Sequence, residues 1–166
     1  MTWKHLYFGF DGRIGRRQWW TAMLPLLLAS MAVSFIANPM AWFSVAVAMR
    51  GPNLAETLFD LAFLIPETAI TVKRFNDRNR PQWLAYAYAA IFLLFILLNH
   101  KRVILASHAP TLFELGFVSS LVAVMVIIVI DNGFLRGTIG PNRFGPDPLA
   151  QDSEDAVITS SGDERP

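Results

Sequence analysis

Four long apolar runs, separated by polar connectors, constrain the fold of this chain more than any other feature. They contain 16 to 19 residues each and lie at 19–37, 54–72, 83–98 and 112–130. Because an α-helix rises about 1.5 Å per residue, about 20 residues are needed to cross a hydrocarbon core of about 30 Å. Each run therefore predicts one transmembrane helix, and the predicted fold class is an all-α membrane protein with four spans.

The composition agrees with this class. Hydrophobic residues make up 54% and charged residues 16% of the 166 positions, whereas soluble domains carry about 25% charged residues. A single four-helix domain over residues 1–148 uses most of the chain, so a separate soluble catalytic domain is excluded. Residues 149–166 are short of apolar side chains and rich in acids, and they predict a disordered acidic tail.

Lysine and arginine are unevenly distributed between the two sides of the predicted membrane. Short cytoplasmic loops carry an excess of these residues, so their positions predict the orientation of the spans. The opposite side carries only Arg50, Lys101 and Arg102 of the 14. The others are Lys4, Arg13, Arg16, Arg17, Lys73, Arg74, Arg78, Arg80, Arg136, Arg143 and Arg165. Both termini are therefore predicted to be cytoplasmic.

Two further patterns concern the membrane boundaries. Indole rings favour the interface, where the ring is buried and the N–H group stays wet. This predicts four anchors near the cytoplasmic boundary: Trp3, Trp19, Trp20 and Trp83. The apolar residues 40–49 are too few to cross the bilayer, and they predict a short interfacial or re-entrant helix.

The second apolar run is unusual because it contains three acids, Glu56, Asp60 and Glu67. At about 100° per residue, all three lie within about 40° of one another on one helical face. A carboxylate at the centre of a span costs about 2.5–3.5 kcal/mol on insertion scales, so this face is expected to look into the bundle or a wet cavity. Two interpretations stay open: a proton or cation path, or a helix that begins later and leaves only the last acid deep in the membrane.

The connector between the second and third runs resembles a known family. It reads Lys73-Arg-Phe-Asn-Asp-Arg-Asn-Arg-Pro-Gln-Trp83. This is similar to the Arg-Arg-Leu-His-Asp-Thr-Gly-Arg-Ser-Gly-Trp pattern of the YhaH/YhaI-like bacterial inner-membrane proteins, the domain-of-unknown-function family numbered eight hundred and five. Arg74, Asp77, Arg80 and Trp83 match in register. Asn76 stands where many relatives have histidine, so a metal or proton-shuttle role is not expected there.

Two other segments resemble the same family. Residues 10–20 are similar to its Gly-Arg-x-x-Arg-x-x-(Tyr/Trp)-Trp opening, and residues 140–148 are similar to its closing segment. Three motifs in the same order cover most of the chain up to Pro148. The resemblance implies a helical fold in the bacterial inner membrane, and it implies no reaction because the activity of the family is unknown.

The three motifs are all predicted on the cytoplasmic side, where they predict one polar cluster. Its members are Arg13, Arg16, Arg17, Arg74, Asp77, Arg80, Asn142, Arg143 and Asp147. Guanidinium groups pair bidentately with carboxylates or with phosphates. Two interpretations therefore stay open: an internal salt-bridge lattice, which explains the aspartates, and a site for lipid headgroups, which explains the surplus of arginine.

The sequence contains no recognisable catalytic motif. It has no cysteine, no Gly-rich phosphate loop and no nucleophile elbow, and His5, His100 and His108 make no ligand spacing. We therefore expect no enzyme activity, metal or cofactor, and no nucleic-acid partner, because the spans interrupt the basic loops.

The leading hypothesis is an inner-membrane protein whose arginine-rich face binds anionic lipid or organises a partner. The alternative is a small oligomeric transporter or channel, coupled to protons or cations, that uses the acids of the second run.

Overall fold

The computed structural model of the chain describes residues 2–44, 51–104 and 111–150. Over these ranges the regular structure is helical and contains no strand, so the predicted all-α class is confirmed. Five α-helices and one 3₁₀ turn follow in order: α1 Trp3–Phe8, α2 Arg16–Ala37, the 3₁₀ turn Pro39–Trp42, α3 Leu54–Asp77, α4 Trp83–His100 and α5 Leu112–Gly133.

Three of these helices, α2, α4 and α5, are long and apolar enough to cross a membrane. Their outer surfaces carry large apolar side chains such as Leu28, Leu94 and Ile127, which are at least half exposed, as expected for helices that face hydrocarbon. Helix α3 is 24 residues long but carries the three acids. The described residues thus contain three candidate spans, and the fourth remains a prediction.

The beginnings of α3 and α5 are set by local hydrogen bonds. The Asn53 side chain accepts from the N–H group of Glu56 at 2.9 Å, and the Glu56 carboxylate accepts from the N–H group of Asn53 at 2.8 Å. Thr111 and Glu114 form the same reciprocal pair at the start of α5. Both pairs are capping boxes, which satisfy N–H groups that have no partner inside the helix. Glu56, the first of the three acids predicted on one helical face, therefore lies in the first turn of α3.

Helix α3 is the centre of the packing, and it contacts α1, α2, α4 and α5. Every residue from 68 to 77 is buried, whereas most of the first half of the helix is partly or fully exposed. Two apolar clusters surround the buried half: Ile14, Trp19, Ala22 and Ile70 form one, and Val72, Phe75, Ala85 and Ile128 form the other. The charged residues at the end of α3 are consequently enclosed by the protein.

Two of the four predicted tryptophan anchors are corrected by the structure. Trp19 is only 2% exposed and belongs to the core, and the indole N–H group of Trp20 donates to the carbonyl oxygen of Gly133 at 3.0 Å. Such rings do not keep a wet N–H group at the headgroups. Trp3 and Trp83 are 72% and 63% exposed, so the anchor interpretation remains a prediction for these two.

Two predicted segments lie largely outside the described residues. Of the predicted interfacial helix at 40–49, the structure describes the part up to residue 44, which includes most of the 3₁₀ turn Pro39–Trp42. Of the predicted acidic tail at 149–166, it describes only Leu149 and Ala150. Both interpretations remain predictions.

Candidate functional site

The carboxylate of Asp77, at the end of α3, is held by two arginines. The Nε and Nη2 atoms of Arg13 donate to its Oδ1 atom at 3.2 and 3.0 Å, and Nη1 of Arg74 donates to its Oδ2 atom. The three side chains are at most 5% exposed. Charges this deeply buried require a partner for each polar atom, and the surrounding backbone supplies the remaining partners.

Arg13 uses all of its N–H groups in this network. Besides the carboxylate, Nη1 donates to the carbonyl oxygens of Gly140 at 2.8 Å and Gly145 at 3.0 Å, and Nη2 donates to the carbonyl oxygen of Thr138 at 2.8 Å. A guanidinium group has five N–H donors, so Arg13 is fully satisfied. It thereby fastens the segment after α5 to the segment before α2.

Arg74 binds backbone carbonyls on two other elements. Its Nε atom donates to the carbonyl oxygen of Asn132 at 2.6 Å, and Nη2 donates to that of Leu135. Asn132 lies at the C-terminal end of α5, where helix carbonyls lack internal partners and the helix dipole favours a cation. Leu135 lies two residues beyond the end of this helix. Nη1 also approaches the carbonyl oxygen of Ile14 at 3.4 Å. One buried arginine therefore joins α3, the end of α5 and the N-terminal segment.

Amide and hydroxyl groups extend the network. Asn76 donates to the carbonyl oxygen of Gly12 at 2.9 Å and accepts from Gln82 at 3.1 Å. Asn142 donates to the carbonyl oxygen of Asn76 and to the Thr138 hydroxyl, both at 2.9 Å. Thr138 in turn donates its N–H and hydroxyl groups to the carbonyl oxygen of Asp77. The three motifs are thus joined through one continuous set of hydrogen bonds.

Gly137 allows the closing segment to approach the buried carboxylate. A Cβ atom at this position would lie 1.9 Å from Oδ2 of Asp77, a distance that no pair of unbonded heavy atoms tolerates. The absence of a side chain is therefore a steric requirement of the network.

The sequence grouped Arg80 with Asp77 and Asp147, but in the structure Arg80 pairs with Asp131. Its Nη2 atom lies 2.8 Å from Asp131, and Nε of Arg78 lies 3.3 Å from the same carboxylate. Asp131 is 5% exposed and stands near the end of α5. Sequence reasoning missed this acid, although an acid directly after an apolar run on the basic side of the membrane was the signal that could have found it.

Asp147 accepts backbone hydrogen bonds rather than pairing closely with an arginine. Its carboxylate accepts from the N–H groups of Gly140 at 2.8 Å and Leu149 at 3.0 Å. These two bonds, the one from Gly140 first, hold the pKa of Asp147 below its usual range. Arg143 is exposed and lies over the ring of Phe144, with its guanidinium carbon 4.6 Å from the ring centroid.

A groove lies beside the buried network, and we call it the cytoplasmic groove because its residues belong to segments that the sequence predicts on the cytoplasmic side. It has a volume of about 450 Å³ and is lined by the first turn of α2, by residues 136–138 and by residues 147–149, with Arg74 and Asp77 behind them. Arg16, Arg17 and Arg136 contribute exposed guanidinium groups to its wall. Among the described residues none of these three forms an ion pair; Arg16 only approaches the carbonyl oxygen of Phe134 at 3.5 Å.

The three acids of α3 do not share one cavity. Glu56 and Asp60 line an outer cavity of about 310 Å³, where the Ser34 hydroxyl donates to Glu56 at 3.4 Å. Glu67 lines a separate cavity of about 220 Å³. The three acids predicted on one helical face are therefore divided between two cavities. Over residues 2–44, 51–104 and 111–150, no group of three potential ligands is arranged to hold a metal ion.

Comparison with known proteins places the chain in a family. No solved structure matches it significantly. The "Uncharacterized protein YiiR" of Escherichia coli K12 is 32% identical over 154 residues, which cover 89% of this chain and 90% of that protein. The "Inner membrane protein YhaH" of the same strain is 24% identical over 142 residues, which cover 86% and 88%. The family model described as "Protein of unknown function (DUF805)" matches residues 7–146.

The match includes the network and the three apolar helices. The resemblance inferred from the three motifs is therefore confirmed. Together with the apolar helices, it identifies a multi-pass integral membrane protein. The chain belongs to the DUF805 family.

Proposed function

We propose that this protein binds the phosphate headgroup of an anionic phospholipid in its cytoplasmic groove, without catalysis. The observation that carries the proposal is the surplus of cations in the groove wall. Asp77 is occupied by two buried arginines, and Asp131 is occupied by two others. Arg16, Arg17 and Arg136 line the groove and form no ion pair in the part of the chain that the structure describes, so these three cations outnumber Asp147, the further carboxylate in the wall.

The chemistry of the groove suits a phosphate. Guanidinium groups bind phosphate oxygens bidentately. Arg16 and Arg17 also occupy the first turn of α2, where N–H groups without helical partners and the helix dipole favour an anion. Each cation near an anionic bilayer surface contributes about 1 kcal/mol to lipid attraction. The three arginines together therefore favour an anionic over a zwitterionic headgroup.

The proposal includes a four-span arrangement in the bacterial inner membrane, with both termini in the cytoplasm. Helix α3 is the fourth span, and its buried second half is covered by the other helices. The inner-membrane location is supported by the name of the relative YhaH, and the orientation is supported by the charge of the connectors. In this arrangement the groove faces the headgroups of the cytoplasmic leaflet.

Native mass spectrometry of the purified protein tests this function. Nanodiscs containing phosphatidylglycerol and phosphatidylcholine supply the two headgroups. We expect wild type to retain phosphatidylglycerol preferentially. The double variant Arg17→Gln/Arg136→Gln should bind it about 30-fold more weakly, because two cations that contribute about 1 kcal/mol each are removed. Arg143→Gln is the matched control, because its guanidinium group is exposed but lies on Phe144 outside the groove.

Two results would contradict the proposal. One is unchanged phosphatidylglycerol retention in the double variant. The other is an equal loss in the Arg143→Gln control, which would show a general surface-charge effect. Addition of inorganic phosphate separates the two sources of the ligand chemistry, since a site for a free anion would be stabilised by phosphate in neutral-lipid nanodiscs.

An oligomeric transporter or channel is the second candidate. It is favoured by Asp60, which lines the outer cavity and has no ion pair or hydrogen bond among the described residues. Proteoliposome flux measurements on Asp60→Asn and Glu67→Gln test it. Abolished proton- or cation-coupled flux with unchanged lipid retention would favour this candidate over the lipid-binding function.

A further inference from the structure

A second, largely apolar cavity lies within the helix bundle. It has a volume of about 220 Å³ and lies between α2, α3, α4 and α5. Five side chains that line it carry hydrogen-bonding groups: Trp19, Trp20, Glu67, Thr71 and Tyr88. The N–H group of Trp20 already donates to the carbonyl oxygen of Gly133. The rest of the cavity wall is apolar, and we call this space the apolar cavity. The cytoplasmic groove is lined by other residues, so an inference about this cavity does not depend on the proposed function.

Polar atoms in this wall lack partners. The indole N–H group of Trp19 and the hydroxyl of Thr71 are buried without a hydrogen bond, and their residues are 2% and 0% exposed. The carboxyl group of Glu67 has neither a hydrogen bond nor an ion pair among the described residues. An unsatisfied buried polar group costs about 1–3 kcal/mol, so such groups in one cavity point to a ligand that completes them.

The rim of the apolar cavity indicates where this ligand comes from. Leu24 and Leu27 of α2 and Met125 of α5 line the cavity and are 46%, 54% and 42% exposed. The cavity therefore opens sideways between two membrane-crossing candidates, towards the hydrocarbon. A ligand that enters through such an opening has an apolar chain, since the rim offers no polar contact to a soluble molecule.

The hydrogen-bonding groups determine the chemistry of the head. An indole N–H group only donates, whereas the hydroxyls of Thr71 and Tyr88 donate or accept. A carboxyl group accepts when ionised and also donates when protonated. A hydroxyl head can complete the three groups that lack partners, because its two lone pairs accept from Trp19 and Thr71 and its O–H group donates to Glu67. An ammonium head offers no lone pair to the indole, and a hydrocarbon offers nothing.

We propose that the apolar cavity binds a neutral lipid with a free hydroxyl group, such as a long-chain alcohol or a diacylglycerol. The hydroxyl lies among Trp19, Glu67 and Thr71, and the chain leaves between α2 and α5. Tyr88 and Phe92 of α4 form the opposite wall. The cavity thus recognises a headgroup without charge, in contrast to the arginine-lined cytoplasmic groove.

Three photoreactive probes with the same diazirine-bearing alkyl chain test this proposal. They end in a hydroxyl, a methyl ether or a trimethylammonium group. The full-length wild-type protein in nanodiscs is irradiated with each probe, and the labelled peptides are mapped by mass spectrometry. We expect the hydroxyl probe to label residues of the cavity rim at least about threefold more than the other two, which matches the gain of one hydrogen bond.

Matched variants connect the labelling to the cavity. Thr71→Val removes a hydroxyl with little change of shape, and we expect it to lower labelling by the hydroxyl probe about threefold. Thr68→Val is the control, because that hydroxyl is on the same helix but donates to the carbonyl oxygen of Leu64 at 2.6 Å. It should leave the labelling unchanged.

Several outcomes would overturn the proposal. Equal labelling by the ether would show that the chain alone is bound, and stronger labelling by the ammonium probe would show a cation site at Glu67. Equal loss in Thr68→Val and Thr71→Val would show that the effect is not specific to the cavity. The probe comparison uses only wild-type protein, so it remains decisive even if a variant fails to fold.

Discussion

The carboxylate of Asp77 lies 3.0 Å from Nη2 of Arg13, a residue 64 positions earlier in the chain. Both side chains are at most 5% exposed, and Arg74 contacts the other oxygen of the same carboxylate. One acid therefore balances two buried guanidinium groups. Because a buried charge without its partner is strongly unfavourable, the stability of this region depends on Asp77 more than on either arginine.

Replacing Asp77 by Asn should lower the free energy of unfolding by about 3–5 kcal/mol, because two buried arginines lose their counter-charge. Thermal unfolding in detergent, followed by circular dichroism, measures the loss. Asp11→Asn is the control, since that carboxylate is 83% exposed and lies 3.1 Å from the side chain of His5. A variant Asp77→Asn that unfolds at the wild-type temperature would contradict the central role of this carboxylate.

Replacing Gly137 by Ala should also destabilise the fold, by about 1–3 kcal/mol, since the added methyl group must displace the Asp77 carboxylate or the closing segment. The matched substitution is Gly116→Ala in α5, where an added Cβ atom meets nothing within 4 Å. Alanine is the better helix former, so Gly116→Ala should leave stability unchanged or raise it. Melting temperatures that move in the same direction for both variants would disagree with the close approach at Gly137.

The pH dependence of stability should report the hydrogen bonds of Asp147. Its pKa is lowered in the folded protein by the N–H groups of Gly140 and Leu149, whereas the pKa of an unfolded aspartate is about 3.9. A lowered folded pKa contributes stability that is complete above the unfolded pKa and is lost as the pH falls through the folded pKa.

The melting temperature of wild type should therefore exceed that of Asp147→Asn by a constant amount at neutral and mildly acidic pH. This difference should shrink below about pH 4 as the carboxylate is protonated. A melting series of both proteins across this pH range provides the measurement. A difference that widens on acidification would have the opposite sign and would refute the role of these bonds.

The topology makes a separate prediction. Fusions of alkaline phosphatase, which is active outside the cytoplasm, should be inactive after Asn79 and Leu149 and active after Arg102. Fusions of a fluorescent protein should show the reverse pattern. The distribution of lysine and arginine provides the reason. Phosphatase activity after Asn79 would show the opposite orientation in the membrane, with the cytoplasmic groove outside the cytoplasm.

Much of the fold was predictable because the length and polarity of an apolar run are local properties. Each predicted span lies inside one observed helix. The ends were less predictable: α3 continues to Asp77, five residues beyond the predicted boundary at 72. A polar residue can extend a helix when tertiary contacts satisfy it, as Lys73 shows by donating to the carbonyl oxygens of Leu6 and Gly9.

The partners within the site were much less predictable. The sequence indicates which residues share the cytoplasmic side, but partner choice depends on how the helices approach one another. Arg80 contacts Asp131 instead of Asp77, and the backbone carbonyls that satisfy Arg13 come from residues after α5. Carbonyl groups occur at each position of any chain, so no residue type marks them in advance.

The dependence of Arg13 on carbonyls of Thr138, Gly140 and Gly145 has a consequence for biosynthesis. A guanidinium group near the start of the polypeptide waits for acceptors that leave the ribosome more than a hundred residues later. The hydrogen bonds between the N-terminal segment and the closing segment therefore form only after α5 has been inserted. In a nascent or truncated chain that ends at α5, Asp77 still balances the charge of Arg13, but the N–H groups that donate to these three carbonyl oxygens have no acceptor.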